Sequence, residues 1–244
     1  MELKRKPKGE KVYRGAYNYF KGDTLYAEEE FEVYKDKKEL SMSFFSSMFS
    51  RVATGELLNI YVDFQVSKDF IPQKVLIERT MGNEIVREMY DFDKRNNIID
   101  YFFITKDGQE HCQIQSGPKF HITTPTTVTS MLFSKSKKED TSGKNFFSLI
   151  ASHNKWKFEE APSAKTIIFQ KVSINNENIL IEGQQVQALQ YRMLEDNQNL
   201  DEEKMEKLPN IKVFLSKHVS IPYIVKDDHG TRIQIKFLND LDKE

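Results

Sequence analysis

Along residues 11–105 apolar and polar positions alternate with period two. Tyr13, Gly15, Tyr17 and Tyr19 alternate with Arg14, Ala16 and Asn18. After turn residues Lys21, Gly22 and Asp23, one face carries Leu25, Ala27, Glu29, Phe31 and Val33, and the other carries Tyr26, Glu28, Glu30 and Glu32. Residues 52–66 then read as one long strand, with Leu58, Ile60, Val62, Phe64 and Val66 on a single face. Further strands are predicted near 75–79, 85–92 and 98–104, separated by Met81, Gly82, Asn83 and by Lys94, Arg95, Asn96, Asn97. Alternation broken by turn residues about every ten positions predicts an antiparallel meander. Its apolar face must be covered.

Part of this pattern recurs near the C-terminus. Ser67 and Lys68 precede Ile71 and Pro72, as Ser216 and Lys217 precede Ile221 and Pro222. Val75 and Val225 each lie three residues after the proline, and Ile85 and Ile233 three after Gly82 and Gly230. Proline lacks a donor and belongs at a strand's start or edge. Glycine supplies the positive φ of a tight hairpin. The expectation is two related β-meander halves, residues 11–108 and 165–244, in one continuous domain behind a flexible basic N-terminus (1–10). The fold class is thus mainly β, a strongly curved antiparallel sheet, half-barrel or sandwich-like.

Residues 109–164 form a central insert with short helices, a plug or lid. Thr124 as N-cap and Pro125 at the first helical position lead into Val128, Met131 and Leu132 at helical spacing. Residues 134–144 are polar and charged. Asn145 is expected to cap a helix bearing Phe146, Phe147, Leu149 and Ile150, followed by Trp156 and Phe158. A last short helix is expected over residues 201–207, where acids lead and Lys ends.

Composition narrows the function classes. The 244 residues are 39% hydrophobic and 12% aromatic, which argues for a packed core and against disorder. With 36 basic and 37 acidic side chains the net charge is −1, so no overall field draws in nucleic acid. The run Lys4, Arg5, Lys6, Lys8 reads as a solvated terminus. Neither an export signal nor a membrane-spanning segment is read. The chain as given is therefore expected in the cytoplasm, or in the periplasm had a leader been removed from it. The single Cys112 excludes an internal disulfide framework; beside His111 on a strand it faces the other way, and it reads as a small core hydrophobe.

Candidate chemistry is sparse. No phosphate loop, zinc pattern or nucleophile elbow occurs, and neither metal nor cofactor is expected. Glu28, Glu30 and Glu32 read as exposed acids about 6.5–7 Å apart. Glu29 stands among apolar neighbours, so it needs a partner or a raised pKa. An Arg or Lys beside it, or a sheet end open to water, would serve. Residues 40–49 carry no charge and include Met42, Phe44, Phe45, Met48 and Phe49. Phe45 and Phe49 take the opposite parity from the others, so a helix, a ligand or another chain should cover a second face.

A curved antiparallel sheet with helical segments plugging its concave side resembles the half-barrel proteins that carry lipoproteins and lipids across bacterial envelopes. The resemblance is one of plan, without a shared signature residue, and it implies no site residues. It implies a non-enzymatic binding or carrier role for a hydrophobic, lipid-like ligand on the concave face. The residues expected there are Phe44, Phe45, Met48, Phe49, Val128, Met131, Leu132, Phe146, Phe147 and Trp156, with Glu29 as the polar group in the pocket. The alternative is an interaction protein using its aromatic β surface for protein contact. An enzyme using Glu29 with His111 or His121 ranks below both.

Overall fold

In the computed structural model the alternation resolves into a single sheet. Residues 6–137, 143–172, 176–181, 183–195, 210–216 and 221–241 are described. The helix expected over 201–207, residues 138–142 of the polar stretch, and Lys217 of the repeated pattern lie outside them. Strands β1 (Glu10–Lys21), β2 (Thr24–Asp36), β3 (Ser41–Arg51), β4 (Leu57–Ser67), β5 (Pro72–Met81), β6 (Glu84–Asp93), β7 (Ile98–Ile104) and β8 (Gln109–Gln115) form an antiparallel meander. The chain then makes β9 (His121–Ile122), a one-turn helix α1 (Thr127–Ser130) and a 3-10 turn (Leu132–Ser136). It returns through β10 (Lys144–Ala151), β11 (Ser163–Lys171), β12 (Glu177–Ile181), β13 (Gln184–Glu195), β14 (Ile211–Ser216), β15 (Pro222–Lys226) and β16 (Thr231–Asp240).

The two meanders join where β1 pairs antiparallel with β16. The ends of the sheet are therefore β8 and β9, neighbours in sequence, and among the described residues no hydrogen-bonded ladder closes them to each other. The β9–β10 pair is parallel, a local departure from the antiparallel expectation. β-sheets twist because L-residue sterics favour it. Here the sheet curls far enough for the segment after β8 to pack on its concave face. His121 stacks on Phe64 at 5.2 Å between ring centroids, Phe120 meets Phe92 at 4.8 Å, and Phe158 meets Phe103 at 6.1 Å. Asn154 pins the loop after β10: it accepts from the N–H groups of Glu159 and Glu160, and its amide donates to Glu160 O and to Tyr101 Oη.

Period-two alternation sets which side chains enter the core. Tyr17, Phe31, Phe44, Val62, Phe64, Ile77, Tyr90, Ile99 and Tyr101 face inward and are buried. Fully burying one such side chain contributes roughly 1.5–3 kcal/mol. Close approach is built in at Gly15, where a Cβ would stand 2.4 Å from Phe31 Cζ and 2.8 Å from the Phe237 carbonyl oxygen. The short helical segment divides the interior. Val128 and Leu132 pack with the first meander, while Met131 and Phe133 pack with Phe169, Tyr191, Val213 and Leu215 of the second. No helix among the described residues is long and apolar enough to cross a membrane.

Three local expectations are corrected. Residues 52–56 are a turn rather than the start of a strand: Val52 N–H donates to Glu56 O and Gly55 sits at φ 88°. Helix α1 starts at Thr127 with Thr126 as N-cap, so Thr124 and Pro125 lie outside it; β-branched residues limit it to one turn. Residues 146–150 form strand rather than helix, because β9 and β11 offer that backbone a ladder on both edges. The repeated pattern has a geometric counterpart. Pro72 pairs with Val66 across a register shift after Gln65, and Pro222 pairs with Leu215 across a shift after Phe214.

Candidate functional site

The inward carboxylate of β2 is met from above by backbone. Glu29 is completely buried. Ser46 Oγ donates to its Oε1 at 2.8 Å, Thr127 N–H to Oε2 at 2.7 Å, Val128 N–H to Oε1 at 3.2 Å, and Tyr19 Oη also donates to Oε2. Burial raises the Glu29 pKa above its ordinary value, and the four donors oppose that rise. The first N–H groups of a helix have no intrahelical acceptor. Thr126 supplies no side-chain cap here, and Glu29 takes that place. The expected Arg or Lys partner, or opening to water, is thus replaced by the start of α1. Glu29 fastens the plug to the sheet instead of presenting a charge to a ligand.

A second buried polar group lies on β5–β7. Arg79 Nη1 donates to Glu88 Oε1, and Glu88 Oε2 accepts from Tyr101 Oη at 2.8 Å. Glu88 has no exposed surface. Nothing local in the sequence marks this pair, because Arg79 and Glu88 occupy strands where neighbouring charges face outward. The signal available was their parity: both share the inward face with Val75, Ile77, Val86 and Tyr90.

The two histidines weighed for chemistry do not converge. His111 is on the outer face, its Nε2 3.0 Å from Asp100 Oδ1 and its ring stacked on Phe102. Inward Cys112 packs against the core. His121 is buried, with Nε2 3.0 Å from the Thr129 carbonyl, which fixes Nε2 as the protonated nitrogen. Burial pushes its pKa down to about 4. The unfolded chain therefore binds a proton near pH 6.5 that the folded chain refuses. Stability from this group is full above pH 6.5 and is lost as pH falls towards 4, up to about 3 kcal/mol. His121→Phe keeps the stack on Phe64 but loses the hydrogen bond. Urea unfolding should show the variant about 1 kcal/mol less stable at pH 7. The gap should close or reverse by pH 4; parallel pH profiles would contradict this account.

The middle of the concave face is filled by side chains and by α1. An open cavity of about 440 Å³ lies instead at one rim. Val12, Tyr13, Met42, Phe44, Leu132 and Ile221 form its apolar floor. Leu40 and Phe70 stand on its wall, and Lys35, Lys37, Lys68, Lys135 and Asp36 also line it. Leu40 (φ 49°) and Phe70 (φ 59°) are two of the three non-glycine residues with positive φ among the described residues. A bulky residue there costs of order 1–3 kcal/mol of backbone strain. Leu40 is 59% exposed, so no packing of its own side chain offsets that strain. A second cavity, about 380 Å³, shares Phe70 and reaches Phe120, His121, Phe133, Phe146 and Phe147 on the far side of the 3-10 turn.

The structure divides the expected set. Phe44 and Leu132 line the rim cavity, and Phe146 and Phe147 line the second one. Trp156 lines a third of about 300 Å³ with Phe103 and Phe158. Met48, Val128 and Met131 are core packing. Phe45 and Phe49 point outward: Phe45 meets Tyr34 edge-on at 5.7 Å, and Phe49 is 43% exposed. Among the described residues neither a helix nor the insert covers that second face. The lysines and Phe70 carry no local signal in the sequence, since they converge from the end of β2 with its connection to β3, the β4–β5 turn and the 3-10 turn.

No family model matches this chain, and no curated protein does. Its fold is similar to that of a β-barrel-like protein of the domain of unknown function DUF1849 from Brucella abortus, at 10% identity and a TM-score of 0.58, covering 96% of this chain and 100% of that one. A DUF1089 family protein from Pseudomonas aeruginosa aligns over 91% of this chain and 92% of its own, at 8% identity and a TM-score of 0.49.

Proposed function

We propose that this chain is a non-enzymatic binding or carrier protein for an apolar, lipid-like ligand, held at the rim of the concave face under the 3-10 turn. The observation that carries this reading is the rim cavity itself. It is of small-molecule size, since such sites span about 300–1,000 Å³. It has an apolar floor, and one wall residue, Leu40, is held at positive φ although its side chain is 59% exposed. The half-barrel plan, with a plug on its concave side, adds support. A protein-contact role has less: Phe45 is covered by its own neighbour Tyr34, which leaves Phe49 as the exposed member of that segment.

The test uses protein purified without detergent. Native mass spectrometry followed by organic extraction should show a co-purified apolar molecule, or, after delipidation, saturable 1:1 binding of the neutral probe N-phenyl-1-naphthylamine. Leu40→Asp, an exposed position that leaves the core intact, should weaken probe binding at least tenfold. Absence of any saturable binding overturns the reading, and an unliganded dimer would favour protein contact.

A further inference from the structure

We infer that the ligand is a single-chain amphiphilic anion, with its acyl chain on the apolar floor of the rim cavity and its carboxylate or phosphate head among Lys35, Lys68 and Lys135. This rests on the binding reading above and specifies its chemistry. Over the whole chain basic and acidic residues balance, 36 to 37. Around this cavity four lysines stand against one aspartate. Asp36 is already engaged, its Oδ1 accepting from the N–H groups of Lys38 at 2.8 Å and Glu39 at 3.0 Å. Lys37 is paired with Glu10 at 2.7 Å. Neither Lys68 nor Lys135 has an ion pair among the described residues; the Lys135 ammonium lies 5.8 Å from the centroid of the Phe70 ring.

Lysine suits such a mouth. Its stem lies along apolar surface while the ammonium stays in water. The head of the ligand then remains solvated and only its chain is desolvated, so the ion pair avoids the penalty of full burial. The three lysines reach the mouth from different elements: the end of β2, the β4–β5 turn and the 3-10 turn. Their convergence is thus a property of the fold rather than of a local charge run. Cavity size selects the tail. About 440 Å³ is in the lower part of the small-molecule range and favours one chain over two.

The experiment titrates delipidated full-length protein with the fluorescent fatty acid cis-parinaric acid and, separately, with its uncharged methyl ester, at low and at moderate salt. The acid is expected to bind 1:1 and at least tenfold more tightly than the ester, with the advantage shrinking as salt rises. A Lys68→Met, Lys135→Met double variant should lose that advantage, read as the ratio of acid to ester affinity within each protein. Single-chain lysophosphatidate should compete with the acid, and a diacyl phosphatidate should not. Equal binding of acid and ester, unchanged in the double variant, overturns the anionic head and leaves the apolar-binding reading standing. Binding of neither overturns both. Preferential binding of the diacyl lipid overturns the single chain.

Discussion

Replacing Glu29 with leucine is expected to cost about 4 kcal/mol of folding stability, a large fraction of the roughly 5–15 kcal/mol that holds a domain folded. Four donors converge on this carboxylate, and none has water within reach because the residue is completely buried. Tyr19 can recover one bond, since its hydroxyl already lies 2.8 Å from Thr127 Oγ1. The Thr127 N–H also keeps Tyr19 Oη as an acceptor at 3.0 Å, but the Val128 N–H and the Ser46 hydroxyl lose theirs. Each buried donor left without an acceptor costs about 1–3 kcal/mol. The loss also releases α1 from the sheet, and α1 carries Val128 into the first core cluster. Glu29→Gln, which keeps one acceptor oxygen, should cost about half as much. Urea denaturation of the two variants checks this. A leucine variant within about 1 kcal/mol of the parent would show that the plug is held by packing alone.

The Arg79–Glu88 pair should respond differently, because its two charges can be removed together. Arg79→Met alone leaves the fully buried Glu88 carboxylate with only the Tyr101 and Tyr90 hydroxyls, at 2.8 and 3.4 Å. Breaking a buried pair in this way costs about 3–5 kcal/mol. In the double variant Arg79→Met, Glu88→Leu no charge remains to be desolvated, and the loss should fall to about 1 kcal/mol. Tyr101 keeps Asn154 as a partner at 3.0 Å. The neighbouring pair, Arg87 with Glu78 at 2.7 Å, lies on the outer face of the same two strands. Arg87 reaches water at 26% side-chain exposure, although Glu78 at 11% is as little exposed as Arg79. Arg87→Met should therefore cost less than Arg79→Met, and it serves as the internal control. A double-mutant cycle by urea unfolding measures all of this. Additive single losses would mean that the two inner charges are solvated separately.

Glu29 shows how much of the site was legible in the chain. Its parity with Ala27, Phe31 and Val33 is enough to place a carboxylate on the apolar face, and there it lies. Its partners were not legible, because two of the four donors are backbone N–H groups of residues 127 and 128, about a hundred positions away. The other two are the neutral hydroxyls of Tyr19 and Ser46 rather than a charged side chain. Phe146 and Phe147 show the opposite case. Five residues with apolar positions at 146, 147, 149 and 150 satisfy helix and strand periodicity alike. The choice fell to whichever conformation gave their N–H and C=O groups partners, and β9 and β11 supplied them.

With β8 falling in the expected insert, the sequence by itself determined strands β1 to β7 apart from the turn at 52–56, the face to which their side chains point, the positions of the glycine hairpins and the proline entries to β5 and β15. These are local quantities. Alternation of Cβ direction and the allowed φ of Gly and Pro follow from neighbours along the chain. Only the tertiary structure decided which inward face meets which. It brought α1 down on Glu29, set Arg79 against Glu88, and gathered Lys35, Lys68 and Lys135 around a cavity whose floor includes Val12 and Ile221. The physical reason is the pairing of β1 with β16 and the curl of the sheet. They bring together residues more than two hundred positions apart, and nothing in the period of the pattern encodes that distance.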